Sequence, residues 1–175
     1  MYLTDKFMRG ALFASAVAFG ALAPHSAAAL DAPVGPVVLS VKGNITETNN
    51  GDQADFDTAM LEALGIQEFQ TTTIWTEGTK TFEGPTLRAI LEAVGAKSDN
   101  IRAVALNDYA IEMAAPAEDY PGPVIALRMD GNAMPVRNKG PLWLVYPYDS
   151  DPAFRTEVVY ANSIWQLRNI EVQED

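Results

Sequence analysis

A chain without cysteine has no disulfide to brace it, and this one contains none. Its single histidine, His25, lies within a stretch laid out like an export signal. Lys6 and Arg9 stand ahead of an apolar run over 10–22 that is too short to cross a bilayer comfortably. Pro24 breaks the run, and Ala27-Ala28-Ala29 offers a cleavage site. The layout reads as a signal peptide over 1–29 and one domain over 30–175, exported to a Gram-negative periplasm; an uncleaved anchor is the alternative. A disulfide-free exported domain of that length must stand on a single core. After cleavage it holds neither Cys nor His. Thiolate nucleophiles, Ser-His-Asp arrangements and thiolate or imidazole metal ligands are therefore excluded. Chemistry falls to carboxylates, Tyr, Lys, Arg or a bound group, and a binding protein is the simplest outcome.

Basic residues number 12 against 23 acidic ones, a net charge of −11. Such a surface repels phosphate backbones, so no nucleic-acid partner is expected. Solubility accounts for the acidity; attraction to a basic partner surface is the other reading. No internal repeat or low-complexity segment is present. β-Branched and apolar residues over 37–41 predict a first strand, and Asn49-Asn50-Gly51-Asp52 a turn. From Asp55 the spacing turns helical. Phe56, Ala59, Met60, Ala63 and Leu64 fall on one face, with Asp55 as cap and Gly65 as stop. Residues 69–75, with three threonines in a row, read as a strand. Gly84-Pro85 opens a second helix whose apolar face is Leu87, Ile90, Leu91 and Val94, closed by Gly95. Strands follow over 101–106 and 109–113 about Asn107-Asp108, over 124–129 and 133–136 about Asp130-Gly131, and over 142–146 and 168–172. The ends, 31–35 and 172–175, read as loose. Two main helices among about seven strands make an α+β chain with a β-rich core.

The order of these segments has a counterpart in a known family. Phe82-Glu83-Gly84-Pro85-Thr86-Leu87-Arg88-Ala89-Ile90-Leu91 comes first, then Asn107-Asp108-Tyr109-Ala110, then Met129-Asp130-Gly131-Asn132-Ala133-Met134. Asn138-Lys139-Gly140-Pro141-Leu142-Trp143-Leu144-Val145-Tyr146-Pro147 and Ile164-Trp165-Gln166-Leu167-Arg168-Asn169-Ile170-Glu171-Val172 complete the set. In this order they resemble the motifs of the molybdopterin-binding oxidoreductase domain, the sulfite-oxidase fold, across nearly all of 30–175. The resemblance implies that fold, and the departures from it bear on function. The family's molybdenum-binding cysteine falls at Thr71, four residues before Trp75, and a threonine supplies no soft thiolate. A basic or imidazole group before the Gly140-Pro141 step is replaced by Asn138-Lys139, and an Arg after it by Trp143. What the resemblance leaves is a pocket for a flat pterin ring, with no metal expected. That points to the small, secreted, cysteine-less branch of the fold, whose members look like pterin-binding proteins. Some of these act with membrane sensors, such as diguanylate cyclases with a periplasmic domain.

A pterin's aminopyrimidinone edge donates two parallel N–H bonds, which suits one carboxylate. Its oxygen and ring nitrogens accept from backbone N–H, Asn, Lys or Arg. Stacking on its faces adds about 0.5–1.5 kcal/mol beyond burial. Candidate faces are Trp75, Tyr109, Trp143, Tyr146 and Tyr148; the carboxylate is Asp108 or Glu112; the donors are Arg128, Arg137, Asn138 and Lys139. Each has a structural alternative. Trp75 and Trp143 can be core, Asp108 a turn former, and Arg128 and Arg137 solvated strand charges. Thr71 gains interest only from its place in the resemblance. The acidic, aromatic loop 147–152 is the candidate contact to a basic sensor surface. Three functions stay open: a periplasmic pterin-binding protein that passes ligand state to a membrane partner, an oxidoreductase holding a molybdenum cofactor without cysteine, and an adaptor whose pocket is filled by its own side chains.

Overall fold

Two hairpins and one late strand make the largest sheet. The computed structural model describes residues 30–115 and 122–174, so the signal-peptide reading lies outside the described residues. Strand β1 (Leu39–Gly43) turns at Asn50 and Gly51 into β2 (Gln53–Phe56), pairing Leu39 with Phe56 and Val41 with Ala54. Strands β5 (Asn100–Ala105) and β6 (Ala110–Ala114) form the hairpin expected about Asn107-Asp108. Strand β11 (Leu167–Val172) lies between them, parallel to β1 and antiparallel to β5. Its register slips between Leu167 and Asn169, so Arg168 is the bulged residue.

A four-stranded sheet runs β3 (Gln67–Thr72), β4 (Thr79–Gly84), β8 (Arg128–Met129), β9 (Asn132–Ala133), and a two-stranded one pairs β7 (Val124–Ala126) with β10 (Trp143–Val145). The helices are α1 (Thr58–Ala63), α2 (Leu87–Ala93) and α3 (Glu157–Asn162). The chain is α+β and mostly β, with three short α-helices among the described residues rather than two. One connected cluster of buried apolar side chains draws on all three sheets and on α2, whose Leu87, Ile90, Leu91 and Val94 are all buried as the spacing predicts.

Several boundaries differ from the sequence reading, each for a local reason. Asp57 caps α1, accepting from Met60 N–H at 2.9 Å. Asp55 instead lies in β2, where Ser40, Asn50 and Gln53 donate to its carboxylate. Burial pushes Asp55 up, but those three bonds together hold it below the ordinary carboxylate range. Phe56 is thus a strand residue, and Leu61 is the fully buried residue of α1. The segment 31–35 is tied rather than loose: Val34 and Gly35 N–H donate to Asp57 at 2.9 and 2.7 Å. Strand β4 was invisible because polar residues flank its one fully buried apolar side chain, Phe82. Thr86, after Gly84-Pro85, caps α2 by accepting from Ala89 N–H. The helix α3 was hidden by Val158 and Val159, which favour strand.

Gly84 allows β7 to cross against the end of β4. Ile125 N–H donates to Pro85 O and Leu127 N–H to Glu83 O, both at 2.8 Å. A Cβ at Gly84 would stand 2.0 Å from Ile125 O, a backbone atom. Gly84→Ala is expected to lower stability by about 1–3 kcal/mol, the scale of overpacking, read as a lower urea midpoint with unchanged slope. An unchanged midpoint would contradict this packing.

Candidate ligand-binding site

Trp75 is where the aromatic side chains meet. It has left the strand expected over 69–75 and sits in the turn after β3, where its N–H donates to Thr73 Oγ1 at 3.1 Å. Its ring meets Trp143 at 5.8 Å, Tyr148 at 6.2 Å, Tyr160 at 5.9 Å and Trp165 at 5.8 Å between centroids, each at 64° or more. Edge-on contact of this kind is the preferred geometry of aromatic pairs. Trp143 lies beneath with no exposed surface, and its Nε1–H donates to Ser163 O at 3.2 Å. Tyr148 is buried too, its hydroxyl donating to Ser163 Oγ at 2.6 Å, and burial pushes its phenol well up.

Between these rings and the β5–β6 turn lies a cleft of about 380 Å³. Trp75, Tyr109, Tyr160 and Trp165 are its aromatic walls, and Asn107 and Ser163 its polar side chains. Small-molecule pockets run from about 300 to 1,000 Å³, so the size suits one compact ligand. Three non-glycine residues with positive φ border the cleft: Asp108 (64°), Lys139 (67°) and Gln166 (53°). Backbone in this region is costly for side-chain-bearing residues and gathers at functional sites.

Of the residues singled out in the sequence, Trp75 and Tyr109 line this cleft. Lys139 reaches the same aromatic group, its Nζ 4.1 Å from the Trp165 centroid and 5.1 Å from that of Trp143. Burial lowers its amine from the ordinary lysine value. Trp143 supports the cleft from below. Asp108 points into solvent and pairs with Arg168 at 3.2 Å, and Glu112 is exposed on β6. No carboxylate lines the cleft among the described residues. Arg128 is on β8, bonded to Glu62. Asn138 is exposed on a 3-10 turn over Val136–Asn138 and is not among the lining residues. Tyr146 lines a separate cavity of about 210 Å³ with Phe154, Met113 and Val159; burial, partly offset by a hydrogen bond with Asn162, pushes its phenol up to about 12. The sequence reading missed Asn107, Tyr160, Ser163 and Trp165. The last lay inside a quoted motif but was read only as part of a closing strand.

Thr71 is fully buried. Its Oγ1 donates to Thr72 O at 3.2 Å and accepts from Asp149 N–H at 3.0 Å. A hydroxyl so committed, with no cysteine in the chain and no histidine among the described residues, does not fit a molybdenum ligand. It belongs instead to a tie between the end of β3 and the loop that follows β10. Asp149 accepts from Thr72 N–H (2.6 Å), Thr72 Oγ1 (2.9 Å) and Arg155 (2.8 Å). One side of the tie leads to Trp75 and the other carries Tyr148 and, in α3, Tyr160.

The Thr72 N–H first, then the Thr72 hydroxyl, with Arg155 adding to them, hold the Asp149 carboxyl below its ordinary range. Its folded value is below its unfolded one. The tie therefore stabilises the fold above about pH 4 and is lost as pH falls through the folded value. Asp149→Asn is expected to melt below wild type at pH 7, the gap closing below about pH 4. Melting curves with the same gap at pH 3 and pH 7 would count against the tie. No family model matches the chain, and no curated protein matches its sequence.

Proposed function

We propose that this protein binds a pterin in the aromatic cleft, in the periplasm, and relays the ligand's presence to a membrane sensor such as a diguanylate cyclase with a periplasmic domain. The observation that carries the reading is the cleft itself: four aromatic walls around a space for one compact planar ligand, beside the only amide that lines it among the described residues, Asn107. The ordered motifs that resemble the molybdopterin-binding, sulfite-oxidase fold support the choice of a pterin, and the β-rich α+β architecture is in keeping with it. An amide both donates and accepts, so Asn107 can meet the aminopyrimidinone edge where no carboxylate stands. The indole and phenol groups of the walls are donors of the kind the ring nitrogens and oxygen accept. Lys139, on the outer side of Trp165, favours a neutral or anionic ligand over a cationic one. The molybdenum reading is weakened by the committed hydroxyl of Thr71, and the filled-pocket adaptor reading by the open cleft.

Titration with a tetrahydropterin is expected to quench tryptophan emission. Trp75→Ala should weaken binding by about 1–3 kcal/mol, the scale of base–aromatic stacking, and so raise the Kd by roughly 5- to 150-fold. Because Trp75 also packs the loops, Tyr109→Ala serves as a second variant, at a wall residue that is 55% exposed. No quenching in wild type would refute pterin binding. Wild-type affinity in both variants would remove the ligand from this cleft.

Protein isolated from its native host should carry pterin absorbance and no stoichiometric molybdenum. One molybdenum per chain by elemental analysis would restore the oxidoreductase reading.

A further inference from the structure

We propose that the rim of the cleft is a docking surface for an acidic, apolar segment of a partner protein, an inference that rests on the reading of this protein as a relay. Nine large apolar side chains are exposed among the described residues, and four of them, Leu106, Tyr109, Val136 and Trp165, gather at this rim. Gln166 holds them together: its carbonyl accepts from Leu106 N–H at 2.9 Å, its N–H donates to Lys139 O at 3.0 Å, and its Nε2 donates to Val136 O at 2.6 Å. The patch is therefore a fixed surface built on one hydrogen-bonded knot.

Charge selects the occupant. Lys42, Lys80, Arg102, Arg128, Arg155 and Arg168 are all ion-paired. Arg137 and Lys139, like Lys97 elsewhere on the surface, have no carboxylate partner among the described residues, and both stand on the turn that carries Val136. Two unpaired cations among exposed apolar side chains match a segment that brings carboxylates and apolar groups together. Loop 147–152, the sequence's candidate contact, is engaged internally. Asp149 is tied to Thr72 and Arg155, Tyr148 is buried, and Asp151 accepts from Ala153 N–H at 2.7 Å. Tyr109 and Trp165 belong to both the cleft and the rim, so a bound ligand would alter the docking face directly. That supplies the difference in partner affinity any relay requires.

The test is site-specific photo-cross-linking of the full chain in its native host, with the photoreactive residue at position 106 or 136, and at exposed Val158 as reference. The expected result is an adduct from 106 and 136 but not from 158, joined to a peptide of another protein that mass spectrometry shows to be acidic and apolar. Val136→Asp and Arg137→Glu should each abolish the adduct formed from position 106, while Val136→Asp keeps the wild-type pterin titration. No adduct, adducts only to lipid or to a second copy, equal adducts from 158, or a basic cross-linked peptide would each overturn the proposal. Quenching by tetrahydropterin without an adduct would refute docking alone; an adduct without quenching would refute the ligand reading and leave docking standing.

Discussion

The site stands on one buried indole. Trp143 joins β10 to β7, meets Phe82 of β4 at 5.3 Å, supports Trp75 and Trp165 from below and fixes Ser163 through its Nε1–H. It is the contact through which the two smaller sheets and the cleft share one packing problem. A buried Trp of this kind is worth about 3–5 kcal/mol against truncation, a large part of the roughly 5–15 kcal/mol that separates folded from unfolded domains. In a chain without cysteine, the aromatic cluster does the bracing that disulfides provide in other folds.

The acidity of the chain stops at the cleft. Carboxylates in the surrounding structure are directed to backbone and side-chain donors: Asp149 to Thr72, Asp57 to the chain near residue 34, Asp108 to Arg168. The lining is left neutral, with a desolvated cation behind one wall. The local charge at the cleft thus follows from which carboxylates are already engaged, a property that net charge does not reveal.

What the sequence disclosed follows the range of the interactions. The hairpin turns at Asn107-Asp108 and Asp130-Gly131 and the buried face of α2 were legible because they depend on near neighbours and simple periodicity. The cap of α1 was misplaced because two acids two residues apart both suit the role, and it is pairing with β1, where Ser40 lies opposite Asp55, that puts Asp55 in the sheet. Trp75 and Tyr109 could be chosen as stacking residues, but Tyr160 and Trp165 could not, since their approach depends on a loop fixed from 77 residues away by Thr72 and Asp149. Asp108 was chosen one residue from the side chain that lines the cleft, Asn107, because a turn's composition does not say which of its residues faces inward.

The parallel pairing of β1 with β11 has a kinetic consequence. Ser40 lies opposite Asn169 and Val41 opposite Ile170. Until β11 has been made, the β1–β2 and β5–β6 hairpins are separate two-stranded ribbons, each marginal by itself in water. The largest sheet therefore cannot assemble from the first half of the chain, and its closure waits for residues 167–172. Long-range pairing of this kind slows folding, and it leaves the two hairpins unjoined until that late strand is in place.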